Sequence, residues 1–376
     1  MARTWPVTGK KQAMLAMFDA LAGPMSSVFL RENHDGTQPV RKILVLELWH
    51  MGDVVLATPA LQALRTMYPD ARITLLAKSH ACELLASSHL VDEIVTFDFP
   101  WTAMTEKYDP SRYDRIAIRA IVKRLRDEQF DLCLDCRMDL RSNVLTRSIG
   151  AKRRIGYDFG GGGFLLTDAI PAPAADQHKV DDWMALIEPL RAEAPGKLDG
   201  VPLPVLSVTD DERSDAAKLL ESYDVSAQDI VVGIHPGGSH AAKRWSVDNF
   251  SQVGRTLAER HGAKLIVFVD PEGSGSDMQL GQNAAFVRTS IREMMALLTQ
   301  CDLLICNDSG PMHMAAALGV PVVAVFKTGN PKAYGPRGLN NAVVGNGASW
   351  GSTTDVDVED VLEAAESALN SRSSKA

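Results

Sequence analysis

The sequence predicts an α/β protein made of two Rossmann-like halves that face each other across a cleft. Three observations predict this. The chain has 376 residues, too many for one ordinary domain and enough for two. Short apolar runs alternate with helical stretches, once from Lys42 to Ile149 and again from Asp210 onward. Between the two series lies Ala194–Pro204, whose prolines and glycines have the composition of a linker. The expected organisation is an N-terminal extension (1–40), a first Rossmann-like domain (41–204), a second (205–349), and a C-terminal helix and tail (350–376).

The extension stands apart from the rest. Lys10 and Lys11 precede Met14, Met17, Phe18 and Leu21, which share one helical stripe ending at Gly23-Pro24. Two readings stay open: an amphipathic helix lying on an anionic membrane surface, or a helix packed on its own protein. From Lys42 the rhythm is regular. Ile43–Leu48 reads as a strand, Trp49–Gly52 as a loop, and Asp53–Tyr68 as a helix with a kink or restart at Pro59. Strand Arg72–Ala77, helix Ser79–Ser88, strand Glu93–Phe97, helix Arg115–Glu128, strand Phe130–Leu134 and helix Leu140–Ile149 follow. Strands separated by helices of this length imply right-handed crossovers and a parallel sheet. The glycines at 160–163 make a loop, and a helix over Asp181–Arg191 closes the first half.

The second series runs helix Asp210–Tyr223, strand Ile230–His235, loop Pro236–Trp245, helix Val247–Arg260, strand Lys264–Val269 and helix Ile291–Gln300. Strand Leu303–Cys306 then leads through Asn307-Asp308-Ser309-Gly310-Pro311 into an Ala-rich helix, Met312–Leu318, closed by Gly319. Strand Val320–Phe326 and the final helix Val358–Leu369 complete it.

Composition limits what the protein can be. With 45% hydrophobic and 23% charged residues it is a soluble globular type. The net charge of -8 speaks against non-specific nucleic-acid binding, which needs a basic surface. Cys133 and Cys136 are spaced C-x-x-C but sit on an apolar run, not in a turn leading a helix. All five cysteines are therefore expected to be reduced, in a cytoplasmic protein. No apolar run reaches the ~18 residues of a membrane span, and no signal-peptide pattern is present.

The residues that carry chemistry follow the strands. A strand, a small polar turn and a helix N-terminus are what open α/β sheets use to hold phosphates, because unpaired N–H groups and the helix dipole point at the turn. Asp308, Ser309 and Gly310 occupy that turn, although Asp308 or Ser309 would also serve as a plain helix cap. His235-Pro236-Gly237-Gly238-Ser239 is dense in N–H groups and is followed by Lys243-Arg244-Trp245, a cation beside a flexible loop suited to a pyrophosphate. The alternative for Lys243 is a solvated surface pair with Arg244. Asp53 opens a helix behind Gly52, where the dipole keeps a carboxylate ionised as a weak base; a simple helix-start acid is the other reading. His313 alone suits a structural role as well as a functional one.

These motifs resemble glycosyltransferase family 9, the heptosyltransferases of lipopolysaccharide inner-core synthesis. The resemblance rests on residues 43–78 (ILVLELWHMGDVVLATPALQALRTMYPDARITLLAK), RRIGY at 153–157, HPGGSHAAKRW at 235–245 and NDSGPMHMAAALGVPVVAVF at 307–326, in that order. It spans from about residue 41 to the C-terminus and implies a GT-B fold, inversion at the anomeric carbon and no metal or other cofactor. It also implies a nucleotide-sugar donor, expected to be ADP-heptose, and a lipid-anchored oligosaccharide acceptor at the inner face of the cytoplasmic membrane. By the same resemblance, Asp53 matches the base that deprotonates the acceptor. Lys243 matches the lysine that neutralises the leaving diphosphate, with Ser239 near the same phosphates. Asp308, Ser309, Gly310 and His313 match the donor-binding D-[ST]-G-x-x-H motif, and Glu272 falls near the acid that holds the nucleotide ribose. Where many relatives have F-G-x-T, this chain has Phe326-Lys327-Thr328-Gly329.

Other classes remain to be weighed. A nucleotide-sugar epimerase shares the architecture and would turn over sugar without an acceptor; a different donor sugar within the family is also open. A nicotinamide dehydrogenase is disfavoured because no G-x-G-x-x-G follows the first strand. A non-catalytic binding protein would not need Asp53 and Lys243 together. Asp355–Asp357, the D-x-D of the chain, precedes a helix, where acids favour the dipole without any metal.

Overall fold

The computed structural model describes residues 39–103, 109–159, 161–174, 176–345 and 355–373. The stripe at Met14–Leu21 and its two lysines therefore lie outside the described residues. The chain divides into two compact units. The described residues up to Cys82 and within His89–Pro202 form the first; Glu83–Ser88 and the described residues from Leu203 onward form the second.

The first unit runs β1 (Lys42–Glu47), α1 (Met51–Met67), β2 (Arg72–Ala77), α2 (His80–Leu84, whose last two residues count with the second unit), β3 (Glu93–Thr96), α3 (Arg115–Asp127), β4 (Leu132–Asp135), α4 (Leu140–Ile149), β5 (Arg153–Tyr157), β6 (Asp168–Ile170) and α5 (Lys179–Ile187). Its six strands are parallel in the order β3-β2-β1-β4-β5-β6. The inner strands are continuous apolar runs because helices cover both faces: Ile43, Leu44 and Val45 are fully buried. Each such side chain contributes about 1.5–3 kcal/mol relative to exposure.

The second unit runs α6 (Asp210–Glu221), β7 (Val231–His235), α7 (Val247–His261), β8 (Lys264–Phe268), β9 (Ala284–Val287), α8 (Ile291–Leu298), β10 (Leu303–Asn307), α9 (Gly310–Ala317), β11 (Val322–Val325), α10 (Pro331–Tyr334), β12 (Ala342–Val344) and α11 (Val358–Ser373). Its sheet reads β12-β11-β10-β7-β8-β9, again all parallel. From the other edge this is the same winding as the first sheet. In each, the order in which strands are added reverses between two central strands, β1/β4 and β7/β10, and ligands of open α/β sheets bind beyond the carboxyl ends of such a pair. α11 belongs to this unit's core, where Val361, Leu362, Ala365 and Leu369 pack with the sheet residues Val323 and Val325.

Three local expectations are corrected. α1 does not restart at Pro59, which is buried inside a continuous helix. The carbonyl that loses its N–H partner there, Val55 O, accepts a hydrogen bond from the Thr58 hydroxyl at 2.7 Å. α2 ends at Leu84 rather than Ser88. Arg292 on α8 donates to the Glu83 carbonyl (3.2 Å) and the Ser87 hydroxyl (2.8 Å), so these groups serve a tertiary contact instead of another helical turn. β5, β6, β9, β12 and α10 were not foreseen as elements. Among the described residues no helix is long and apolar enough to cross a membrane.

Candidate functional site

In the second unit the site forms where β7 and β10 end. Asn307, the last residue of β10 and fully buried, ties the glycine loop down. Its side chain accepts from Trp245 N (2.9 Å) and donates to the carbonyls of Pro236 (2.8 Å) and Gly237 (3.2 Å). The Trp245 indole in turn donates to the Val356 carbonyl at 2.9 Å and meets Phe250 edge-on. This anchoring fixes the segment that presents Lys243. Asn307→Ala would leave those three backbone groups buried and unpaired, so it should lower stability by about 3 kcal/mol. A denaturant titration showing a midpoint close to that of the parent would contradict it.

Lys243 Nζ sits 2.6 Å from Asp308 Oδ2, with the carboxylate nearly buried and the lysine partly exposed. That pair settles how the turn is used. Asp308 spends its carboxylate on Lys243, and Ser309, the residue before α9, makes no side-chain capping bond. Neither therefore acts as a plain cap. The first-turn N–H groups of α9 have no capping side chain, and Pro311 in that turn has no N–H to satisfy. The Ser309 hydroxyl lies 3.5 Å from His235 Nδ1.

Under the loop, burial holds the His235 imidazole down at about 4 despite the opposing charge of Asp270, so it is neutral near pH 7. Burial would raise the Asp270 carboxyl, but hydrogen bonds from Ser274 outweigh this and bring it below the usual range. A side chain at Gly237 would meet Asp270 Oδ2 at 2.5 Å and the His235 ring at 2.8 Å, which is why glycine is needed there. Gly329 has φ +95°, and a side chain there would meet Asp308 Oδ2 at 3.2 Å, so glycine suits the other side of the turn as well. Ser239 is exposed on the loop and His313 is buried on α9. Glu272 stands exposed on the turn after β8, and among the described residues its side chain makes no hydrogen bond or ion pair; the acid set against the glycine loop is Asp270.

In the first unit Asp53 occupies the third position of α1, inside the helix rather than at its start. Its Oδ2 accepts from His50 N at 3.2 Å, one arm of a capping box with His50. At the end of β1, beside it, stands Glu47, a residue the sequence did not single out. Glu47 is 4% exposed and accepts from Trp49 N at 3.2 Å. Burial first, then the charge of Asp53, pushes its carboxyl up to about 8, against the pull of Arg137. Arg137, two residues beyond β4, lies 3.4 Å over the Trp49 ring. Asp135, at the end of β4, is raised by burial to about 6. Asp53 is thus the half-buried member of a group of carboxyls, of which the two buried ones, Glu47 and Asp135, hold protons more tightly than an ordinary carboxylate does.

The sign of the consequence can be worked out. Glu47 has a higher pKa folded than unfolded. Its contribution to stability is therefore complete below the unfolded value near 4.5 and is lost as pH rises toward about 8. Glu47→Gln should flatten that fall, gaining on the parent between pH 5 and 8 in melting-temperature measurements. A parent and variant that stay parallel across this range would refute the raised value.

Among the described residues no three His, Cys, Asp or Glu side chains gather as metal ligands do.

Solved structures that share this architecture include two glycosyltransferases. A glycosyltransferase family 9 protein of Veillonella parvula is 22% identical, covers 90% of this chain and all of that one, and superposes with a TM-score of 0.73. The ADP-heptose lipopolysaccharide heptosyltransferase II of Escherichia coli is 22% identical over 88% of this chain and 99% of that one, with a TM-score of 0.70. The fold is the GT-B class of two Rossmann-like units. Among sequence relatives, the lipopolysaccharide core heptosyltransferase OpsX of Haemophilus influenzae is 23% identical over 321 residues, 82% of this chain and 85% of that protein. The model of glycosyltransferase family 9 (heptosyltransferase) matches residues 118–364, and the chain belongs to that family.

Proposed function

We propose that the protein transfers a heptose from ADP-heptose to a lipopolysaccharide-core-type acceptor, in one displacement that inverts the anomeric carbon and needs no metal. The observation that carries this is the Lys243–Asp308 pair beside the uncapped N-terminus of α9, at the point where the strand order of the second sheet switches. A diphosphate placed there meets a lysine, backbone amides and the positive end of a helix. ADP-heptose is named for the Escherichia coli heptosyltransferase II and the lipopolysaccharide core for the Haemophilus protein; family membership supports extending both to this chain.

In this reading the anomeric carbon gains positive character as the nucleotide diphosphate departs. Lys243 and the amides at Ser309-Gly310 stabilise the charge that grows on the leaving group, and His313 supports the same turn. Ser239 adds a hydroxyl to the phosphates and Glu272 serves the ribose. Asp53 accepts the acceptor proton late, once the attacking oxygen has become acidic enough for a carboxylate. The protein works in the cytoplasm, at the inner face of the membrane that carries its acceptor.

A thermal-shift series tests the donor. ADP or ADP-heptose at a hundredfold its dissociation constant should raise the melting temperature by roughly 5–10 °C, with UDP and GDP sugars giving little. Equal shifts for all nucleotides would remove the ADP assignment. EDTA should leave the transfer rate unchanged, and a rate lost to EDTA and restored by a divalent ion would place a metal in the mechanism.

A further inference from the structure

The outer face of α3 carries more than solubility requires. Ile118, Ile121, Val122 and Leu125, spaced three and four apart, turn inward to the core that contains Leu44 and Phe130. Ile116 points the opposite way and is 81% exposed, the most exposed large apolar side chain among the described residues. Five cations share the helix with it, Arg115, Arg119, Lys123, Arg124 and Arg126, against one acid, Asp127. Three of these have local partners. Arg124 pairs with Glu93 at 3.0 Å, Lys123 with Asp127 at 2.5 Å, and Arg126 holds the Ser148 carbonyl at 2.9 Å. Among the described residues neither Arg115 nor Arg119 has an ion-pair partner.

A basic face on a chain of net charge -8 asks for an anionic partner. The exposed aliphatic group in the first turn of α3 indicates which kind. A phosphate backbone or a carboxylate-rich protein surface gains little from an exposed isoleucine set between two arginines, Arg115 and Arg119. A lipid headgroup layer gains more: the guanidinium groups reach the phosphates, their stems lie along the interface, and the isoleucine enters the acyl boundary. We infer that α3 is the surface by which the first unit rests on an anionic lipid membrane. The inference deepens the reading of a lipid-anchored acceptor, and it places the contact on α3 rather than on the lysine-flanked stripe near the N-terminus.

The test is sedimentation of the full chain with acceptor-free vesicles, so that its failure and a failure of the transfer reading are separate results. Wild-type protein should pellet with phosphatidylglycerol–phosphatidylcholine vesicles and not with phosphatidylcholine alone. Arg115→Ser with Arg119→Ser should weaken the interaction about thirtyfold. Ile116→Ser should weaken it about tenfold. Both variants should keep the parent melting temperature and full transfer to a short soluble acceptor. The inference is overturned if either variant pellets as the parent does, or if wild-type protein binds neutral vesicles equally. It is also overturned if deleting residues 1–30 abolishes binding with α3 intact. Loss on charge removal alone, matched by equal loss of heparin binding, would assign the face to a soluble polyanion and equally refute the membrane.

Discussion

Asp53→Asn should lower the transfer rate about a thousandfold while leaving the dissociation constant for ADP within twofold of the parent. The substitution is a clean one in this fold. An asparagine side-chain oxygen can still accept from His50 N, so the capping box at the start of α1 survives and the helix should not fray. What is lost is the basic carboxylate. Glu47 cannot substitute for it, because burial and its neighbours keep it protonated to about pH 8. Removing the Asp53 charge takes away one of the causes that raise Glu47, so its carboxyl should titrate lower in the variant. Rates within tenfold of the parent would show that another group accepts the proton.

Lys243→Ala should weaken ADP binding about a hundredfold and reduce kcat/KM by about a thousandfold, because in the proposed mechanism the same cation serves bound diphosphate and, more strongly, the departing one. Losing the lysine also leaves the nearly buried Asp308 carboxylate unpaired beside the site of an anionic ligand. Adding Asp308→Asn to Lys243→Ala should therefore recover part of the ADP affinity. Calorimetric titration of ADP and of acceptor separates the possibilities. If acceptor binding falls as much as ADP binding, Lys243 holds the fold and not the phosphates.

The second site was largely legible in the sequence because its parts are contiguous. A strand end, a small-residue turn and a helix start appear together at Leu303–Ala317, and His235–Trp245 is one uninterrupted loop. The link between them was not visible. Asn307 reaches back some seventy residues to Pro236 and Gly237, and nothing in the local pattern distinguishes it from any polar turn residue. Glu47, Arg137 and Asp135 escaped notice for a related reason. They come from β1, the segment after β4 and β4 itself, and only the strand order places them around Asp53.

Elements were lost where charge hides a strand. β5 begins Arg153-Arg154, which reads as surface, yet both arginines are buried. Arg153 is paired with Asp168 at 2.8 Å and Glu193 at 2.6 Å, and Arg154 donates to the carbonyls of Ala151 and Leu165. The partners lie 3 to 40 residues away, so the compensation that makes these arginines core residues is tertiary. Pro59 misled in the opposite direction: a helix breaker by rule, it is tolerated because the preceding threonine takes over the vacated carbonyl.

The central claim is heptosyl transfer, and mass spectrometry of the products tests it most directly. Purified protein, ADP-heptose and an inner-core oligosaccharide acceptor should yield acceptor heavier by one heptose residue together with an equal amount of ADP, and Asp53→Asn should yield neither at a comparable rate. ADP-heptose consumed with the acceptor unchanged, or transfer of a different sugar in preference to heptose, would contradict the account.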